Sequence, residues 1–331
     1  MSQLYSPAYG PGAGRFEAVS AAAVSPGADN VLRGIMLSLL ATTVFAASDT
    51  TAKFLTESLP VIEIIWIRYM IFVIFAGVLA RSAGVHALWP RSPTLQLVRG
   101  LCVAGSAVLF VFGMRSMQIA QASTIGFVSP LMITVLSIPV LGEVVGLRRW
   151  AATAAGLLGV VIVARPGTSG FQPAALFGVA SSACWALAIV ITRKMATTER
   201  SATTLAWTAG VGAVVLTALL PFVFVPPSVP HLLLALVVGV MSSAGQWLTV
   251  LAHRWAPASV LAPFSYTQLI WATISGWLVF DNLPDEWTLV GAAIIIASGL
   301  YTAHRERIRA RDGRRRVPVV PADAAGRTRD A

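Results

Sequence analysis

Residues 120–143 read AQASTIGFVSPLMITVLSIPVLGE. From Ala120 to Leu141 no side chain is charged, and charge returns only at the corner Gly142-Glu143. A run of this length, coiled as a helix rising about 1.5 Å per residue, crosses the roughly 30 Å hydrocarbon core of a bilayer. Similar runs recur on both sides of it. The crossings read from the sequence are 31–54, 61–80, 95–114, 120–141 and 149–164, then 174–192, 201–225, 231–252, 258–280 and 287–303. Short turns join them, marked by Ser58-Leu-Pro60, Arg165-Pro-Gly167, Pro226-Pro227 and Asn282-Leu-Pro284. The expected fold is an all-α polytopic membrane protein of ten transmembrane helices.

Composition agrees. The 331-residue chain is 56% hydrophobic and 11% charged, whereas a soluble domain carries about 25% charged residues. The net charge of +10 does not point to nucleic acid, because nine of the 24 Lys and Arg fall between Arg305 and Arg329 without interleaved aromatics. That run reads as a cytoplasmic topology determinant that touches anionic lipid head groups. With the N-terminus inside, the connecting segments other than that tail place 11 Lys and Arg on the inner side against three (Lys53, Arg115, Arg165) outside. Both termini are therefore expected in the cytoplasm, which requires an even number of crossings. Residues 1–30, rich in Ala, Gly, Pro and Ser, read as a disordered tail rather than a cleaved signal, and 305–331 as a basic disordered tail. The two cysteines, Cys102 and Cys184, and four histidines lack metal-site spacing, so neither metal nor cofactor is expected.

The chain repeats weakly. Ala120-Gln-Ala-Ser123 opens the fourth crossing and Ala256-Pro-Ala-Ser259 the ninth; each crossing then runs through Ser and Pro to an acidic corner, Gly142-Glu143 or Asp281-Asn282. A Trp-led crossing follows in both cases, with Gly156 and Gly159 in one and Gly291 and Gly299 in the other. Two halves of five crossings, 31–165 and 174–304, must insert in opposite senses, the inverted-repeat plan of many secondary transporters with the solute at the midplane.

The 120–143 stretch resembles the signature of the drug/metabolite transporter superfamily, EamA-type, as does the last third, Ala256-Pro-Ala-Ser-Val-Leu-Ala-Pro-Phe-Ser-Tyr-Thr-Gln268 through Gly299. Ser48-Asp-Thr-Thr-Ala-Lys53, Trp66-Ile-Arg-Tyr69 and Arg99-Gly100 fit the same pattern. The resemblance covers about residues 31–305 and looks closest to the branch with S-adenosylmethionine and riboflavin uptake proteins. It implies a secondary transporter for a small polar organic solute (an amino acid, vitamin or cofactor-like metabolite), proton-coupled or exchanging, in a bacterial inner membrane. One departure is Asp281-Asn282, where Gly-Glu or Gly-Asp is usual.

Ionisable groups inside crossings are the candidate solute contacts, since each costs about 2.5–3.5 kcal/mol on insertion scales unless it meets protein or water. Asp49 lies in the first crossing and Lys53 four residues on, on the same helix face. Arg68 lies eight residues into the second, about 10 Å deep at 1.5 Å per residue, and its planar fork suits a carboxylate. Asp49 is the candidate for proton coupling. Gln246 is a carboxamide that lipid would leave unsatisfied; Tyr266 and Gln268 cannot both face inward; Trp185 and Trp271 could stack on a planar solute. Pro130 and Pro263, at matching places in the two halves, are expected to kink their helices as paired hinges. Expected partners are a small-molecule substrate and membrane lipids, not nucleic acid, with a homodimer left open. The rival readings are a membrane enzyme, for which no H-E-x-x-H, G-x-S-x-G or Walker A motif is present, and a channel, for which no polar stripe recurs at helical spacing.

Overall fold

The computed structural model describes residues 28–83, 89–142, 146–166, 168, 172–196, 198–256 and 258–315. Among them all regular structure is helical: α1 Ala28–Leu55, α2 Val61–Ala83, α3 Pro93–Ser116, α4 Ile119–Gly126, α5 Ser129–Leu141, α6 Leu147–Ala164, α7 Ala174–Met195, α8 Ser201–Leu219, a 3₁₀ turn Leu220–Phe222, α9 Val229–Trp255, α10 Ala258–Ser265, α11 Thr267–Phe280 and α12 Glu286–Arg315. Seven helices are long and apolar enough to cross a membrane, counting α4 and α5 as one, and two shorter apolar helices span Trp150–Ala164 and Glu286–Thr302. Helix α12 runs ten residues beyond the start of the tail expected as disordered at 305, because His304–Arg315 is rich in the helix former Arg. The remaining tail residues, 1–27 and 316–331, and Glu143 lie outside the described residues.

The exterior is that of a chain solvated by lipid. Met36, Ile74, Val78, Leu158, Val214 and Leu278 are each at least 60% exposed, an apolar coat no monomer keeps in water. Hydroxyls line the inside instead: Ser48, Thr134, Ser137, Ser182 and Ser243 are buried.

Packing is crossed between the front and back of the chain. Helix α1 packs on α9 and α11, α7 on α3 and α5, α2 on α8, and α6 on α12. The α6–α12 contact is close because both surfaces lack side chains: a Cβ on Gly159 would stand 3.0 Å from the Gly291 carbonyl, and one on Gly291 would stand 2.7 Å from that of Gly159. Ser298 Oγ then reaches the Ala152 carbonyl at 2.5 Å. Small residues that admit backbone to backbone are how helices associate where lipid competes for every apolar contact.

The crossings expected to kink at proline are instead each built of two helices. Between α4 and α5 one turn changes to i→i+3 bonding, Val128 N–H to Ile125 O at 3.0 Å and Leu131 N–H to Val128 O at 2.9 Å. Pro130 stands in the first turn of α5, where a missing N–H costs nothing within the helix, whereas Pro263 lies inside α10, before the interruption at Tyr266. The two prolines thus flank their interruptions from opposite sides. The α4–α5 interruption is faced from α7: Ser182 Oγ, 2.9 Å from Gly178 O in its own helix, also stands 3.3 Å from both Ile125 O and Gly126 O.

Candidate functional site

Asp49 of α1 and Arg68 of α2 line one cavity of about 390 Å³, walled by α1, α2, α3, the α4–α5 interruption, α7, α9 and α11. Its framework is set by two serine bridges. Ser48 Oγ lies 2.8 Å from Ser242 Oγ and 3.2 Å from Val238 O, joining α1 to α9. Ser106 and Ser181 hydroxyls lie 3.1 Å apart, with Ser181 donating to Ser106 O at 2.8 Å, joining α3 to α7. Glycines bring the walls in: a Cβ on Gly239 would stand 3.4 Å from Arg68 Cα, and one on Gly245 would stand 2.9 Å from the Phe45 ring.

Four of the seven sequence-derived contact residues line this cavity: Asp49, Arg68, Trp185 and Gln246. Asp49 accepts a hydrogen bond from Gln268 Nε2 at 3.3 Å. Arg68, among the described residues, makes no hydrogen bond and no ion pair, although its charge and that of Asp49 share the space. Gln246 is equally unengaged. Trp185 stands at the rim, 36% exposed.

Lys53, Tyr266 and Trp271 lie outside the lining. Lys53 does not turn toward Asp49; its amine donates to the carbonyls of Met114, at 3.0 Å, and Met117. These belong to the end of α3, where carbonyls lack helical partners, and the Phe280 ring lies 5.2 Å beneath the ammonium. Of the Tyr266–Gln268 alternatives, Gln268 faces the cavity and Tyr266 packs against Phe127 and Gly299. Trp271 belongs to the outer stripe Ile270, Ile274, Trp277 and Leu278, all exposed. Sequence reasoning missed the phenyl rings of Phe45, Phe72, Phe110 and Phe127, which nothing in their spacing separates from lipid-facing phenylalanines. It also placed Arg99 with the inner loop charges. In the fold Arg99 sits in α3 and donates to Thr192 Oγ1 at 2.6 Å, to Thr208 Oγ1 and to the Thr204 carbonyl at 3.4 Å, tying α3 to α7 and α8.

An all-helical bundle with an apolar coat, holding a cavity that presents opposite charges, is a multi-pass membrane protein equipped to hold a small solute. Sequence comparison agrees. The EamA-like transporter family model matches twice, over residues 32–165 and 172–302. The chain is 26% identical over 276 residues to an S-adenosylmethionine uptake transporter of Rickettsia prowazekii, covering 83% of this chain and 94% of the relative. It is 30% identical over 285 residues to a riboflavin transporter of Rhizobium johnstonii, covering 84% and 93%. With a pseudopaline exporter of Pseudomonas aeruginosa it shares 26% over 272 residues, covering 82% and 95%. A solved crystal structure superposes with a TM-score of 0.57 at 19% identity, covering 85% of this chain and 98% of the other, a likeness of fold alone. The chain belongs to the EamA-like transporter family of the drug/metabolite transporter superfamily. It is a bacterial multi-pass membrane transporter of small molecules, not an enzyme.

Proposed function

We propose that this chain is a secondary active transporter that carries a small polar organic solute across the bacterial inner membrane by alternating access. The observation that carries the reading is that Asp49 and Arg68 open into one cavity inside the bundle, lined from both halves of the chain, without pairing with each other. Charges kept inside crossings are retained for a solute or an ion. In this reading Arg68 binds an anionic group, and Asp49 binds solute or takes the coupling proton. Gln246, Gln268 and Trp185 complete the contacts.

The architecture proposed is ten crossings in two inverted five-helix halves, 31–165 and 174–304, with both termini cytoplasmic. Three observations support it. The family model matches once in each half. The serine bridges correspond: Ser48 to Ser242 joins the first crossing to the eighth, and Ser181 to Ser106 joins the sixth to the third. The excess of Lys and Arg in the inner connections favours that orientation. The two interrupted crossings then lie at corresponding places, suited to rocking one half against the other.

The test is counterflow in liposomes holding the purified protein, starting with S-adenosylmethionine and riboflavin because relatives are named for them. A carrier gives saturable exchange that Arg68→Ala abolishes while the protein still inserts. Flux that never saturates would make it a channel, and undiminished exchange by Arg68→Ala would remove Arg68 from the site.

A further inference from the structure

Most hydroxyls around the cavity are engaged by the protein itself. Ser48 and Ser242 bond each other, as do Ser106 and Ser181; Ser182 faces the carbonyls of Ile125 and Gly126. Ser243 and Thr249 return their hydroxyls to Gly239 and Gly245 carbonyls one turn back. Left over among the described residues are the hydroxyls of Tyr69, Ser123 and Ser129 and, as the groups that carry charge or a carboxamide, the donors of Arg68, the Asp49 oxygen that Gln268 does not engage, and Gln246. Around them stand six aromatic rings, of Phe45, Tyr69, Phe72, Phe110, Phe127 and Trp185, drawn from five parts of the bundle.

We infer that the cavity takes a zwitterion with a planar body: a carboxylate at Arg68, a cationic nitrogen at Asp49 and a flat ring among the phenyls and Trp185. The inference rests on the reading of this cavity as the solute site. An anion alone would satisfy Arg68 and leave the buried Asp49 carboxylate without a counter-charge. A cation alone would do the reverse, and an uncharged ring would leave both. The zwitterion satisfies each charge and keeps the occupied cavity neutral. A carboxylate also matches the planar fork of Arg68 with two parallel hydrogen bonds. The volume, about 390 Å³, lies near the lower end of small-molecule sites and limits the body to one or two rings.

Four probes share or lack these parts: tryptophan, tryptamine (ring and cation), indole-3-propionate (ring and anion) and alanine (zwitterion without a ring). Binding to the full chain in lipid nanodiscs, measured by calorimetry, should favour tryptophan over each of the others by about tenfold or more. Asp49→Asn should bring indole-3-propionate to within a few-fold of tryptophan, and Arg68→Gln should do the same for tryptamine. Charges with a merely structural role would weaken all probes by one factor. That result, equal binding of a singly charged probe by the unaltered protein, indifference to the ring, or no binding by any probe would each overturn the inference. Saturable counterflow of an uncharged or singly charged solute, without such preference, would sink the zwitterion and leave the transporter standing.

Discussion

The ring of Tyr266 lies against that of Phe127, centroids 4.9 Å apart and planes inclined by 32°. Phe127 directly follows α4 and Tyr266 directly precedes α11, so the interruptions of two separate crossings touch. Phe127 also lines the cavity. On its other side the Tyr266 hydroxyl occupies the space where Gly299 of α12 has no Cβ. The pair joins the cavity wall to the outer bundle.

Tyr266→Ala should therefore slow turnover more than it weakens binding. The aromatic contact contributes about 0.5–1.5 kcal/mol beyond buried area, and its loss uncouples two elements proposed to move together, while no cavity wall is altered. The expected result in liposomes is a several-fold fall in maximal rate with half-saturation nearly unchanged. Gly299→Leu, which forces the ring aside, should behave alike. A rise in half-saturation at constant rate would show that Tyr266 acts on the solute and not on the motion.

Lys53 and Arg68 should separate stability from binding. Lys53 bonds the helix-end carbonyls of Met114 and Met117, so Lys53→Met should cost about 1.5–3 kcal/mol, the range for a hydrogen bond to a charged group, and leave solute affinity intact. Arg68 bonds nothing in the described protein, so Arg68→Met should abolish binding with little loss of thermal stability. Melting curves and binding on the same preparations check both. The reverse pattern would exchange their roles.

These contrasts mark how far the sequence could be read. Span positions were legible because lipid demands long uncharged runs, and Asp49 and Arg68 because charge inside such a run is costly. Side-chain direction was not. Lys53 shares a helix face with Asp49 by spacing, yet a flexible four-carbon stem goes where acceptors are, and the α3 carbonyls that drew it come from a distant segment. Tyr266 against Gln268 was undecidable, since periodicity separates the two faces without saying which one is inward. The phenyl rings of the cavity were invisible for the same reason: in lipid both faces of a helix are apolar. Pro130 announced an irregularity, but not that the helix opens ahead of it, at Phe127–Val128.

The departure at Asp281-Asn282 has a backbone reading. Gly142, after α5, and Asp281, after α11, both adopt the left-handed conformation, with φ of 69° and 52°. Glycine takes it freely, whereas a side chain there costs about 1–2 kcal/mol, less for Asp. Asp281→Gly should therefore raise thermal stability by up to about 1 kcal/mol, the gain being reduced by glycine's freedom in the unfolded chain. Asp281→Val should lower it. A destabilising Asp281→Gly would show that the carboxylate, and not the backbone, is what this corner requires.

Asp285 sets a pH dependence at the connection between α11 and α12. Its carboxylate accepts the Thr288 N–H at 2.9 Å, capping α12, and pairs with Arg165 at the end of α6. Partial burial alone would raise its pKa, but the hydrogen bonds from Thr288 and Arg165 outweigh burial and hold it below the ordinary 3.8. A carboxyl depressed on folding stabilises the fold above its unfolded pKa, and that contribution is lost as pH falls through the folded value. The side chain is 39% exposed, so solvent screening limits the ion pair to about 0–1 kcal/mol. Asp285→Asn should melt slightly below the unaltered protein at pH 7, and the gap should close as pH drops below about 4, near the unfolded carboxyl pKa. Arg165→Gln should show the same gap at neutral pH, smaller in high salt. A gap that stays constant from pH 7 to pH 3 would mean that the neutral cap, and not the charge, holds α12 to α6.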